Sequence, residues 1–237
     1  MNIKQFFIKY RHAWILSYAF IYLPWFMYLE KTVTSNYHIM HIAIDDYIPF
    51  NEYFIIPYLM WFGYVAVSVA YFFFHDVKEY YRLCTMLFTG MTISLVICTV
   101  FPNGTDFRPV IDANKNICAS IVNLLYSADT CTNVFPSIHV YNSICVHIAI
   151  CRSERLKNST QLKTASLILM ILICLATVFL KQHSAFDGLG SLAMAYIMYQ
   201  FVYSDSLVPN RKKVSRKSNQ LKKDLPCRGG LFTSDSN

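Results

Sequence analysis

Charged residues are scarce in this chain. They make up 15% of its 237 residues, against about a quarter in an average soluble domain. Hydrophobic residues account for 55% and aromatics for 16%. A soluble protein of this size could not hide that much apolar surface from water, so the composition excludes a water-soluble globular domain and points to a lipid-dissolved one. Metal-ligand spacing is also missing. The eight cysteines contain no Cys-x-x-Cys pair, and no metal or other cofactor is indicated. Cys84, Cys98, Cys145 and Cys174 sit in apolar runs, where cysteine acts as a small hydrophobe. Cys118 and Cys131 share one polar segment, and pairing is open to them only in an oxidising compartment. There is no secretory signal with a small-residue cleavage site, so the first apolar segment is expected to remain as a span. No internal repeat or low-complexity segment precedes the tail.

What is present is a series of apolar runs. Crossing a hydrocarbon core takes roughly 20 residues. Six segments approach that length: Ala13–Leu29, Tyr53–Phe74, Leu83–Phe101, Ile138–Cys151, Ala165–Leu180 and Ala185–Tyr203. The fourth is short, and its start is expected to lie in a polar vestibule protected by protein. The predicted fold is all-α, an integral membrane bundle of six transmembrane helices over residues 1–203. Residues 204–237 are predicted to be a basic, disordered cytoplasmic tail.

The net charge of +7 is concentrated in that tail, between Arg211 and Lys223. Beside a membrane span such a block marks a cytoplasmic end that can touch anionic headgroups, so no nucleic-acid partner is implied. With six spans, 17 of the 21 Lys and Arg residues fall on the side of the two termini. Both termini are therefore predicted to be cytoplasmic. Lys31, Arg108, Lys115 and Lys181 are the cations left on the other face.

The long outer segment Pro102–Pro136 is rich in Asn, Asp and Thr and is read as a loop. Its Asn103-Gly104-Thr105 is formally a glycosylation sequon, although close to the membrane. Three short segments meet at this outer level: Phe107-Arg108-Pro109, Pro136-Ser137-Ile138-His139, and Lys181 to Asp187. Pro136 suits the first turn of a helix, whose N-terminal amides and the Ser137 hydroxyl favour an anion. Arg108 can grip phosphate with its planar fork, and Lys181 supplies a compact charge. His183 and Asp187 are four apart and share a helix face. The carboxylate can then fix the imidazole tautomer and leave the other nitrogen free to attack. His139 can protonate a leaving oxygen and later activate water. The remaining histidines (His12, His38, His41, His75 and His147) are read as packing residues. Trp14 and Trp25 are read as interfacial belt residues.

These segments resemble the three motifs of the type 2 phosphatidic acid phosphatase superfamily, which also holds the vanadium haloperoxidases: Lys-x6-Arg-Pro, Pro-Ser-Gly-His and Ser-Arg-x5-His-x3-Asp. Arg108-Pro109 matches the end of the first, Pro136, Ser137 and His139 the second, and His183 and Asp187 the third. The resemblance covers roughly residues 101–203. Phe101 stands where the first motif has lysine, Ile138 where the second has glycine, and Ala176-Thr177 where the third has Ser-Arg. Pro-Ser-bulky-His and Lys-Gln-His-x3-Asp resemble the membrane branch of inositol-phosphorylceramide-synthase-like proteins. The resemblance implies a metal-independent enzyme acting on a membrane lipid phosphate. His183 would be the nucleophile, Asp187 its orienting partner and His139 the acid-base residue. Arg108, Ser137 and Lys181 would bind phosphate, with Lys181 replacing the lost cation. Water as acceptor gives a lipid phosphatase. An alcohol gives a headgroup transferase, and the motifs do not separate the two. A non-catalytic lipid-phosphate-binding relative is the reading of a different class. The oligomeric state is not encoded.

Overall fold

A computed structural model describes residue 5 and residues 8–204. The predicted tail after Ser204, including the basic block from Arg211, lies outside the described residues. The elements up to Val202 belong to one compact unit.

The described chain is mostly helical. A 3₁₀ segment, Arg11–Tyr18, runs into α1 (Ala19–Thr32). The connection after it carries strand β1 (His38–Ile39) and a short helix α2 (Ala43–Tyr47). A 3₁₀ turn, Glu52–Phe54, then opens α3 (Ile55–His75), which is followed by α4 (Val77–Val100). Strand β2 (Asn103–Gly104), α5 (Ile117–Ala128), α6 (Ile138–Arg152), α7 (Thr160–Phe179) and α8 (Ala185–Tyr203) complete the order.

Three of these stretches are long and apolar enough to cross a membrane: Glu52–His75, Val77–Val100 and Thr160–Phe179. They correspond to the second, third and fifth predicted segments. Large apolar side chains on their outer faces are exposed, for example Phe62, Val67, Ile168 and Ile171. Exposure of apolar surface on this scale suits lipid and not water. The other three segments are also helical. However, α6 has 15 residues and α1 has 14.

The shortest of the predicted spans is the centre of the fold. α6 packs against α3, α4 and α7, and Tyr141, Cys145, Val146 and Ala149 along it are fully buried. A helix enclosed by other helices can carry polar residues, because protein and not lipid surrounds them. The α4–α6 approach is close at Gly90, where an added Cβ would fall 2.1 Å from the Tyr141 ring. Tyr141 also donates from its hydroxyl to the Met86 carbonyl at 2.7 Å.

The segment Pro102–Pro136 is not a plain loop. It contains the amphipathic α5, capped by Asn116, whose side chain accepts from the Ala119 amide at 2.9 Å. Strands β1 and β2 pair in parallel, His38 with Asn103 and Ile39 with Gly104. Asn103 is fully buried. Its Nδ2 donates to the Phe101 carbonyl and its Oδ1 accepts from the Phe135 amide. A side chain held in this way is closed to glycosylation, so the sequon has a structural use. Cys118 and Cys131 are both free thiols.

Candidate functional site

Three helices (α1, α3 and α6) and three connecting segments converge on one small polar cavity of about 50 Å³. That is room for roughly four water-sized atoms, the scale of one tetrahedral oxyanion. His139, Arg108, Gln182 and His183 line it together with Glu30 and Tyr58.

His183 sits in the turn between α7 and α8. The amides of Gln182 and His183 both donate to the Thr177 carbonyl. Lys181 takes a left-handed backbone conformation with φ 52°, uncommon for a residue with a side chain. The turn aims His183 Nδ1 at Asp187 Oδ2, 3.3 Å away. Both residues are buried. Asp187 Oδ2 also accepts from the Ser184 amide at 3.0 Å. With Nδ1 facing a carboxylate, the other ring nitrogen is left to act on a ligand. The His139 ring lies 5.8 Å from the His183 ring, centroid to centroid. Tyr58 and Trp61 of α3 pack against His139. Its Nδ1 has no hydrogen-bond partner among the described residues.

Arg108 reaches the cavity from the segment between β2 and α5. Its guanidinium donates to the Asp129 and Thr130 carbonyls, each at 2.7 Å, and to Gln182 Oε1. It also pairs with the Asp129 carboxylate at 3.4 Å and stacks over Tyr126. Burial pushes the Asp129 carboxyl up from its ordinary range, and the Arg108 charge opposes that shift. After these contacts Arg108 Nε and Gln182 Nε2 remain buried without a partner among the described residues. Buried polar groups are paired as a rule, so these orphan donors at one cavity mark it as a place for an acceptor-rich ligand. Two carboxylates also border the cavity. Besides Asp129, Glu30 accepts from the Thr130 hydroxyl at 2.6 Å and from Asn133 Nδ2 at 2.8 Å.

Two predicted phosphate-binding residues are placed elsewhere. Ser137 is fully buried as the N-cap of α6, with its hydroxyl oxygen facing the Val140 amide at 3.5 Å. It does not line the cavity. Pro136 therefore precedes the cap and does not occupy the first turn, because the serine satisfies the helix start instead. Lys181 is the larger difference. Its ammonium donates to the Asp45 carbonyl at 2.7 Å and the Ile48 carbonyl at 2.6 Å. The open C-terminal carbonyls of the short α2 are acceptors a lysine can satisfy, and they hold this charge away from the cavity.

Gln182 and Asp45 are not identified by sequence reasoning. Gln182 sits between Lys181 and His183, and a polar side chain in a tight turn between apolar helices is the available signal. Asp45 is buried and caps α8: Oδ2 accepts from the Ser184 hydroxyl at 2.5 Å, and Oδ1 from the Ala185 amide at 2.8 Å. Its partners on α8 lie about 140 residues away in sequence, so no local signal could reveal that role. The five histidines read as packing residues all have nearby partners. His12 meets the Phe73 carbonyl, His38 stacks on Phe101, His41 pairs with Asp46, His75 meets the Tyr71 carbonyl, and His147 meets Ser166. No group of three or more His, Cys, Asp or Glu among the described residues is arranged to hold a metal ion.

A wider polar vestibule of about 510 Å³ adjoins the cavity and shares Arg108, Asp129, Thr130 and Thr132 with it. Tyr37, Thr105 and Asp106 add hydroxyls and a carboxylate to its wall. Comparison with family models, with curated proteins and with solved structures finds no match for this chain.

Proposed function

We propose that this protein is a membrane-embedded, metal-independent phosphotransfer enzyme that hydrolyses lipid phosphate esters through a phosphohistidine. The observation that carries the reading is the cavity. His183 with its carboxylate, His139, and the orphan donors of Arg108 and Gln182 border a space the size of one oxyanion. The motif resemblance to type 2 phosphatidic acid phosphatases supports the same roles for His183, Asp187, His139 and Arg108.

In this reading the phosphoryl group occupies the cavity. Asp187 holds the proton on His183 Nδ1, and the other ring nitrogen attacks phosphorus. A P–N bond forms as the P–O bond to the lipid alcohol breaks. His139 delivers a proton to the departing oxygen. It then takes a proton from water, which attacks phosphorus, breaks the P–N bond and releases phosphate. Arg108 and Gln182 donate to the phosphoryl oxygens as charge shifts onto them, an effect of several kcal/mol in a site with little water. Ser137 supports the site as a helix cap, and Lys181 supports it by tying the His183 turn to α2.

The vestibule favours a second reading, transfer to an alcohol instead of water. Thr105 Oγ1 is buried there without a partner among the described residues, and such a wall suits a hydroxylated acceptor. We place the chain in the bilayer as a six-pass protein, with the site on the non-cytoplasmic face and the termini inside. The 17 basic residues grouped on one side support this. The enzymatic reading is tested by rapid quenching with a ³²P-labelled lipid phosphate. An acid-labile, base-stable adduct should appear in the native protein and vanish in His183→Ala. His139→Ala should slow turnover by about 10²-fold or more. Turnover without such an adduct, or label on serine, would overturn the nucleophile.

A further inference from the structure

An apolar space lies beside the polar cavity. Three helices that line the cavity also line an apolar cleft of about 700 Å³. α1 gives Glu30 and Phe26 to the cavity and Tyr22 to the cleft. α3 gives Tyr58 and then Trp61, and α6 gives His139 and then Asn142. Each step is three or four residues, one turn along the same helix face. The cleft is thus adjacent to the cavity, one turn further along the bundle, with the packed rings of Tyr58, Trp61 and His139 between the two. Along α3 it runs from Trp61 to Phe74, which is about 20 Å at the rise of an α-helix. Ala66 and Ala70 keep its floor low, and Leu23 and Phe74 stand exposed at its edge.

Its wall is apolar except at the cavity end. There Trp61 Nε1 and Asn142 Oδ1 are buried without a partner among the described residues. Asn142 is 2% exposed. An unpaired amide oxygen in such a wall calls for a ligand that donates to it. Trp61 also packs against His139 in a tilted arrangement, with centroids 4.3 Å apart. Asn142 lies three residues beyond His139, about 4.5 Å along the helix axis. A group bound at both polar atoms is therefore one short linkage away from a phosphoryl group at His183.

We propose that this cleft holds the hydrocarbon chain of a lipid phosphate, and that Trp61 and Asn142 read the polar linkage between chain and phosphate. The indole N–H donates to a carbonyl oxygen of that linkage. The Asn142 amide oxygen accepts from a hydroxyl or amide N–H on the lipid backbone. The ligand class is thus a single-chain or amide-linked lipid phosphate with a free donor beside the phosphate ester, in preference to a fully esterified one. This inference rests on the cavity being the phosphate site. The length of the cleft matches an extended long acyl chain, and the unpartnered Trp61 and Asn142 atoms at its end beside His139 distinguish this occupant from bulk bilayer lipid.

The test uses the full chain in lipid nanodiscs and a monoacylglycerol phosphate with a free hydroxyl and a mid-chain diazirine. In a His183→Ala background, where turnover is blocked, photolabel should fall on residues 65–74 and 16–23. The unlabelled lipid phosphate should compete, and phosphatidylcholine of the same chain length should not. Label spread over all outer helix faces, or equal competition by phosphatidylcholine, would overturn the cleft as a specific site. Ala66→Trp should lower the ratio of long-chain to short-chain binding by about tenfold or more. Asn142→Leu should abolish the preference for the hydroxyl-bearing lipid over its O-methyl analogue, and an unchanged preference would remove Asn142 from recognition. Specific labelling in that background, with no phosphate release from any ester by the native chain, would overturn the enzymatic reading alone. Phosphate release with labelling outside the cleft would overturn the cleft alone.

Discussion

At the residue scale, the cavity separates groups that face the ligand from groups that hold those in place. Arg108 does both, since its fork spans two loop carbonyls and Gln182 while Nε stays free of partners among the described residues. Lysine keeps the charge but not the planar fork. Arg108→Lys should therefore lower kcat/KM for a lipid phosphate by about 10²-fold, and steady-state kinetics in detergent would check it. An unchanged value would mean that Arg108 serves the loop alone. Lys181 gives the opposite case. Its ammonium serves two carbonyls at the end of α2, so Lys181→Met should lower the unfolding temperature together with activity. A loss of activity by orders of magnitude at unchanged stability would restore the phosphate-binding role expected from sequence. Asp45→Asn should act through the same contact region. It puts a donor where one carboxylate oxygen accepts from Ser184 and Ile42, at a cost of about 1–3 kcal/mol read by thermal unfolding. The histidines, Asp187 and Arg108 are legible in the sequence because ionisable groups stand out among apolar runs and their spacing carries chemistry. The direction of Lys181 is not legible, because a charge near a site does not reveal which way a left-handed turn sends it. The α8 cap made by Asp45 and the place of Glu30 at the cavity are illegible because the partners that define them come from distant segments.

At the element scale, apolar periodicity locates α3, α6 and α8 to within two residues and starts α7 five residues late. It starts α4 too late. The first turns there hold Lys78, Glu79 and Arg82, and the signal for them is the Asp76 cap, which accepts from the Glu79 amide at 3.1 Å. α5 escapes for a related reason. Its apolar stretch of 12 residues is flanked by Asn, Asp and Thr that mark a loop, while Asn116 is its cap. The β1–β2 pair joins segments about 65 residues apart and leaves no periodic trace. The α4–α6 crossing matters most for the site, because it seats the helix that begins beside His139. Gly90 allows that approach, and a side chain there would enter the Tyr141 ring. Gly90→Leu should cost about 1–3 kcal/mol or more through overpacking. Gly90→Ala combined with Tyr141→Ala should lose less than the sum of the single changes, because the second removes the clash. Strict additivity in a double-mutant cycle would show that the crossing is not the constraint.

At the scale of the whole molecule, the unusual feature is a polar helix at the centre of an apolar chain. α6 carries His139, Asn142, Ser143 and His147, which would be costly against lipid. Enclosed by α3, α4 and α7, it brings Asn142 and Ser143 into the interior, with His139 on the cavity and Asn142 on the cleft. This explains why a segment too short to be an ordinary span is so deeply buried, and why composition alone points toward a membrane but not to the centre of the bundle. Six passes would then set the Arg108 segment and the His183 turn on one side of the bilayer, and the Arg152–Lys163 connection on the other. Cys151 is exposed at the start of that connection, and Asp112 is exposed in the segment before α5. The two positions give a test that depends on no activity. A membrane-impermeant maleimide applied to intact cells should label an Asp112→Cys variant and should leave Cys151 unmodified. After permeabilisation Cys151 should react as well. Labelling of both positions from one side would mean that α6 does not cross the bilayer, and the cavity would then need another route to its lipid. Labelling of Cys151 alone in intact cells would invert the molecule, and the site would face the cytoplasm with its basic segments outside, against the charge asymmetry that orients such helices.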